Sequence, residues 1–340
     1  MTPIVTFDQP LFWKAQMIIH SEKGEFKDMV VRLGMFHTVM SFLGCIGYVM
    51  QESGLRECLE QVYAPNAVTH MFSGKAYARV VRGHELMDAV LHAIVLAEAY
   101  EMPWILAHLT LDPGSSDKTE PIEDEDISLL LAGFDDRASN DGEDICDLHL
   151  DADMRSVADA ACDVIEEVVG CESESMVRSV GNTDLDEVTI LLERLLKKDM
   201  CSSEIKSYQV LDRVDKRIAD YKELLRKRSR TSKLWLSYLE MIHILKISLM
   251  AERTGDFSMH LWAVKEMLPY FAACGHNFYA KSARLYLQVM YDLSSTNPLV
   301  FAAFGNGFHV MRRSERYWAG ISTDLMIEHV LMKSLKSNED

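Results

Sequence analysis

Residues 3–51 read PIVTFDQPLFWKAQMIIHSEKGEFKDMVVRLGMFHTVMSFLGCIGYVMQ. Ile4, Val5, Thr6 and Phe7 are β-branched or aromatic and stop at Asp8, the pattern of a short strand. Pro10 then suits the first turn of a helix from Gln9 to about Ser21. Met29–Leu33 repeats the strand pattern and closes at Gly34. A second helix is predicted over His37–Gln51, where Val39, Phe42, Leu43, Ile46, Val49 and Met50 fall at helical spacing. Strand, helix, strand, helix opens an α/β arrangement whose two strands are most simply parallel. Gly44 and Gly47 lie inside the second helix, where glycine costs about 1 kcal/mol. Their expected use is the close approach of another backbone.

Downstream the period stays near 3.6. Helices are predicted at Gly54–Val62 and Gly74–Glu101, then at Asp184–Lys198, Ser203–Lys227, Ser232–Arg253, Phe257–Cys274, Phe278–Leu293 and Ser322–Leu335. Strands are expected to be confined mostly to residues 1–35. The fold class that follows is mainly α with a small α/β part.

Charge divides the chain unevenly. Of the net −17, residues 112–175 carry −18, with 21 acidic side chains against 3 basic ones. The remainder is close to neutral, so nucleic acid is not excluded as a partner. Three regions follow: an α/β part over 1–111, an acidic and largely disordered insertion over 112–180, and a helical part over 181–340. A short helix could form within the insertion at Met154–Val169. The seven cysteines are odd in number and never at C-x-x-C spacing, which argues for buried thiols rather than a zinc framework or disulfides. No basic segment leads into an apolar run at the start. The most apolar window, Leu86–Ala99, is too short to span a bilayer. An intracellular protein with no membrane partner is expected.

Phosphate-binding glycine loops, H-E-x-x-H and G-x-S-x-G are all missing from the sequence, which removes several common enzyme classes. Four residues remain as candidates for chemistry. Asp8 stands just past a strand, where it caps the following helix or ligates a metal. Asp324 and Glu328 share one helical face, so their carboxylates could meet at a cation, or simply favour the helix start and water. His37 follows the Gly34 turn as a structural histidine or a ligand. Basic runs offer phosphate contacts or solvated faces: Arg226, Lys227, Arg228 and Arg230, then Arg312, Arg313 and Arg316 beside Tyr317 and Trp318.

Five stretches together carry a resemblance: VTFDQPLFWKAQMII, VVRLGMFHTVMSFLGCIGYVMQESGLRECLEQVYAPN, GKAYARVVRGHELM, AERTGDFSMHLWAVKEMLPYFAACGHNFYAKSARLYL and RRSERYWAGISTDLMIEHVLMKSLK. They resemble uncharacterised, transposon-associated proteins of animal genomes. More distantly they are similar to transposases of the ribonuclease-H fold. The resemblance runs from Thr6 to Lys336, with the acidic segment interrupting it. It implies a partial ribonuclease-H-like core with a large helical insertion. In such transposases three carboxylates hold two metal ions for strand cleavage or transfer. By that likeness Asp8 and Glu328 would be metal ligands and catalytic acids, with Asp324 and His37 beside them. Mg²⁺ or Mn²⁺ would be the cofactor of a DNA nuclease or strand-transferase. A third carboxylate is missing around the GMFH turn. The expected function is therefore a transposon-derived protein with residual nucleic-acid binding and an incomplete catalytic site, in the nucleus rather than the cytoplasm. The alternatives are a helical scaffold recruiting basic proteins through residues 112–180, and an active metal-dependent nuclease.

Overall fold

The computed structural model describes residues 2–102, 183–197 and 202–328, apart from the single positions 23, 25, 27 and 206. The acidic segment over 112–180, with the helix expected at Met154–Val169, lies outside the described residues. Helix dominates what is described. Two compact units are present: Met1–Leu91 with Ser229–Asp340, and His92–Arg228.

The first unit begins with β1 (Ile4–Phe7), α1 (Gln9–Ser21) and β2 (Val30–Leu33). The strands pair in parallel, Ile4 opposite Val30 and Phe7 opposite Leu33. A parallel pair needs a crossover, and α1 supplies it. Asp8 starts α1 by accepting from the Leu11 amide at 3.2 Å, and Pro10 stands in the first turn, where its missing N–H costs nothing. β2 is buried along its whole length, as expected of a parallel strand covered on both faces.

α2 (Met35–Val49) follows and is buried nearly all round. α3 (Leu55–Leu59) and α4 (Pro65–Phe72) lead to α5 (Tyr77–Ala99). Sequence reading missed α4, whose eight residues are too few to display a period, although Pro65 marks its first turn. Gly47 is where another backbone comes close. A methyl group added there would lie 2.2 Å from the Phe72 carbonyl oxygen at the end of α4. At Gly44 an added methyl would make only ordinary contacts, the nearest at 3.5 Å.

After the second unit the chain returns as α9 (Arg230–Thr254), α10 (Phe257–Ala273) and α11 (Asn277–Tyr291). Ser229 caps α9 through the Ser232 amide at 3.0 Å, and Asp256 caps α10 through the Met259 amide at 2.9 Å. Between them Gly255 adopts φ +77°, the left-handed conformation that ends a helix at glycine. The long α9 is apolar enough by length and composition to cross a membrane. Here Tyr238, Met241, Ile242 and Leu245 on it are fully buried in the protein core. That core joins α2, α9, α10 and α11, with Phe42 edge-on to Tyr270 and Phe271. Cys45 and Cys274 belong to this region as thiols, both pushed up by burial.

The first unit closes with α12 (Leu293–Thr296), α13 (Pro298–Gly305), the hairpin β3 (Met311–Arg312) and β4 (Gly320–Ile321), and α14 (Thr323–Met326). Two-residue antiparallel strands leave no alternation to read, so the hairpin was not expected. Of the helix expected at Ser322–Leu335, α14 and a wider π-type turn at Ile327–Glu328 are described.

The second unit contains α6 (Thr183–Leu196), α7 (Ser202–Ile205) and α8 (Gln209–Arg228). The single helix expected at Ser203–Lys227 is broken, because Ser207 and Tyr208 form turns back to Glu204 and Ile205. Arg213, Arg217 and Tyr221, spaced four apart, use one face of α8. Arg213 bonds Asp184 and Glu187, each at 2.7 Å. Arg217 donates to the Ala99 carbonyl at 2.8 Å and lies over the Tyr100 ring, and Tyr221 pairs with Glu98. Val210 is buried and Val214, Ile218 and Leu225 are half-buried on the same helix, so an apolar stripe runs beside these arginine hydrogen bonds.

The two glycines of α2 should separate in a stability measurement. Gly47→Ala is expected to lower unfolding free energy by about 1–3 kcal/mol, because backbone must move. Gly44→Ala is expected to be neutral or to gain up to about 1 kcal/mol from helix propensity. Urea midpoints of the two variants test this, and equal midpoints would contradict the backbone-contact role of Gly47.

Candidate functional site

β1 and β2 run side by side, so their carboxyl ends open at the same place. Asp8 follows β1 directly, and Gly34 follows β2 as the residue before α2. Gly34 has no side chain with which to cap α2. The cap comes instead from Asp324 on α14, nearly 290 residues later in the chain. Asp324 is buried, 5% exposed. Its Oδ1 accepts from the Phe36 amide and its Oδ2 from the His37 amide, both at 3.2 Å. The first amides of a helix lack internal partners and carry its positive end, so a carboxylate here is stabilised twice over.

His37 adds a side-chain tie. Its Nδ1 stands 3.2 Å from Asp324 Oδ2, and its Nε2 is 3.8 Å from Glu328 Oε1. The imidazole thus lies between two carboxylates. Its pKa is raised above the usual value, first by the hydrogen bond to Asp324, then by the charges of Asp324, Glu328 and Asp8, with burial opposing them. Asp8 is therefore near enough for its charge to act on His37. Tyr279 on α11 is pushed up to about 12 by burial, and Asp8 and Asp324 add to that shift. An alanine at position 34 would place its methyl 2.3 Å from Asp324 Oδ2. Gly34 is the only residue type that lets the carboxylate settle on the helix end.

The four residues singled out from sequence thus gather in one region. Asp8 does cap α1, through one oxygen, while its charge also reaches the cluster. Asp324 is committed to three donors: two amides and the His37 ring. A pair of Mg²⁺ or Mn²⁺ ions needs several free carboxylate oxygens around a shared space. With Asp324 so engaged and a cation-favouring imidazole between the acids, this donor set does not fit such a pair. As arranged, the cluster is an ion-pair clamp that fastens α14 to α2.

The basic candidates are divided between the two units. In the second unit Arg226 pairs with Glu223 at 3.0 Å, and Lys227 and Arg228 are exposed at the end of α8. In the first unit Arg230 is exposed at the start of α9. Arg312 is a structural tie: it donates to the Thr254 carbonyl at 2.7 Å and to the carbonyls of Arg316 and Tyr317. It thereby shapes the turn of the β3–β4 hairpin, on which Arg313, Arg316 and Tyr317 are exposed, Tyr317 at 74%.

Sequence reading missed Arg32, a charged side chain in the buried strand β2, although its place within VVRL was a signal. It donates to the His309 carbonyl and, at 3.4 Å, to Thr323 at the start of α14. Glu252 and His260, both buried, were also missed, because nothing in the local sequence marks them on their helices.

The clamp should leave a pH signature. A histidine whose pKa rises on folding adds stability that is fully present below its unfolded pKa of about 6.5 and is lost as pH rises through the folded value. His84, His276 and His309 are lowered by burial, so they act in the opposite sense below pH 6.5. The difference between wild type and His37→Gln isolates the clamp: it should be largest at pH 6 and shrink toward pH 9. Asp324→Ala should cost about 2 kcal/mol or more at either pH, from its lost cap and buried hydrogen bonds. Urea titrations across this range check both, and a pH-independent His37→Gln difference would remove the ion pair.

No curated protein and no solved structure matches the chain. A family profile does, over residues 1–131 and 164–339. The interval it skips, 132–163, lies inside the acidic segment. That match takes in most of the chain, including every residue of the acid–histidine cluster. The chain therefore belongs to this family, a domain of unknown function (DUF8702).

Proposed function

We propose that this protein is a nucleic-acid-binding derivative of a ribonuclease-H-like transposase, in which the acidic site persists as a structural clamp rather than a metal centre. The observation that carries the reading is the convergence of Asp8, His37, Asp324 and Glu328 at the carboxyl ends of two parallel strands. The cap that Asp8 gives α1 needs only neighbours in sequence. It gives no reason for an acid-bearing helix from the far end of the chain to return to this place. In open α/β arrangements that place is where ligands and metals gather.

Nucleic-acid binding without cleavage fits the chemistry of the exposed β3–β4 hairpin. Arg313, Arg316 and Tyr317 share an exposed hairpin turn. Arginines meet phosphates bidentately, and an exposed tyrosine beside them offers a face on which a base can stack. DNA as partner would place the protein in the nucleus. Asp324 is engaged by helix amides and His37 lies between the acids, so the reading is of a binder rather than a nuclease.

The test is fluorescence anisotropy of the full chain with single- and double-stranded DNA over a salt series, alongside a cleavage assay in Mg²⁺ and in Mn²⁺. Salt-dependent binding and no cleavage are expected. Arg313→Ala with Arg316→Ala should weaken binding to all sequences alike and flatten the log–log salt dependence by about 2. Failure to bind DNA at low salt would sink the proposal. Cleavage abolished by Asp8→Ala and Glu328→Ala would replace it with an active nuclease.

A further inference from the structure

A second polar cluster lies in the core of the first unit, where α9, α10 and the segment after α13 meet. Glu252 stands near the end of α9, His260 in the first turn of α10, and His309 just before β3. All three are buried, His260 at 0% and His309 at 1% exposure. One ligand atom from each, two ring nitrogens and a carboxylate oxygen, lie within 4.8 Å of one another. His260 Nδ1 is 2.7 Å from Glu252 Oε1. His260 Nε2 is 2.9 Å from the hydroxyl of Tyr286 on α11.

The cluster is not satisfied as it stands. Among the described residues, Glu252 Oε2 and both ring nitrogens of His309 have no hydrogen-bond partner. Any neutral imidazole has one donor and one acceptor, so a buried one with neither engaged leaves two groups desolvated, at about 1–3 kcal/mol each. The wall around it is aromatic, with Phe257 at 5.2 Å and Phe304 at 6.2 Å between ring centroids, and the Phe304 backbone is a nearby polar group that acts on the ring.

We propose that Glu252, His260 and His309 form a buried binding site for a single zinc-class divalent cation. Two imidazoles and one carboxylate are a recurrent zinc ligand set, and zinc takes nitrogen at about 2.0–2.1 Å and oxygen at about 2.0–2.2 Å. Ligating histidines must be neutral, and a fully enclosed place such as that of His260 and His309 disfavours an imidazolium. Tyr286 holds the far nitrogen of His260, the outer-shell contact that fixes a ligating ring's tautomer and leaves Nδ1 for the ion. Arg32 is the opposing charge. Its guanidinium carbon is 5.3 Å from the Phe304 centroid and one of its nitrogens donates to the His309 carbonyl. A guanidinium this close disfavours ions held mainly by charge, such as Mg²⁺ and Ca²⁺. It therefore favours an ion held by nitrogen coordination. The site is separate from the acid–histidine clamp and independent of any nucleic-acid binding.

The experiment uses the full chain, stripped with a chelator and dialysed, then titrated with ZnCl₂, CoCl₂ or MgCl₂. One equivalent of zinc should bind and raise the melting temperature, while Mg²⁺ leaves it unchanged. Co²⁺ should give the visible absorption of a low-coordinate nitrogen–oxygen site. His309→Gln and Glu252→Gln, both close in size to the natural residues, should each weaken zinc binding by about 100-fold or more. Stripped wild type that binds no zinc would overturn the proposal without any variant, as a cluster bridged only by buried water predicts. Wild-type affinity retained in a folded His309→Gln would overturn it equally, by placing the ion elsewhere, such as on the exposed Cys58.

Discussion

The carboxylate of Asp324 on the first amides of α2 is the contact on which the arrangement of the first unit turns. α2 is the most enclosed helix of that unit, and its amino end would otherwise leave donors unpaired in a buried place. Burying an unpaired peptide N–H costs about as much as a hydrogen bond contributes, and two are at stake. Gly34 cannot cap because it has no side chain, and it cannot be replaced because the space above it holds the acid. The missing cap and the distant acid are two sides of one constraint. It is met only when the end of the chain comes back to the strands at its start.

Arg32 extends that constraint into the core. It lies on β2, between strand and helices, and its guanidinium reaches both the His309 carbonyl and Thr323 at the start of α14. The helix bearing Asp324 is thus held from two sides: by its acid on α2 and by its first threonine on β2. The same arginine faces the Glu252–His260–His309 cluster. A buried cation is tolerated when carbonyl oxygens receive its donors, and the His309 carbonyl does so here. One strand residue therefore touches both the helix that bears Asp324 and the segment that bears His309.

How much of this was legible depended on the range of the signal. The β1–α1–β2 order, the parallel pairing and most helices could be read because period and caps are local: Asp8 and Pro10 at one helix start, Gly255 at one helix end. Gly47 was legible too, since a glycine inside a helix needs a reason. The bounds that failed were those of short elements. Neither α4 nor a hairpin with two-residue strands is long enough for periodicity to show. The candidate site was legible in its members but not in its chemistry. Asp8, His37, Asp324 and Glu328 could be named from sequence and resemblance. That Asp324 would be used up by helix amides could not, because a cap supplied from some 290 residues away leaves no local trace. The Glu252, His260 and His309 cluster was illegible for the same reason. Its members are scattered over two helices and a connecting segment, and each alone reads as an ordinary core residue.

The clamp also bears on how clustered acids can be held together without an ion. Clustered carboxylates repel one another, and a metal-binding site resolves this with cations. Here the protein supplies the countercharges itself, through the His37 ring and the positive end of α2. An imidazole between Asp324 and Glu328 neutralises the acids in place, so α14 can remain docked without an ion. The histidine occupies oxygens that an ion would otherwise use and keeps the long-range tie that the first unit needs. The packing of α14 on α2 thus uses these acids directly, whether or not any metal ever occupies the place.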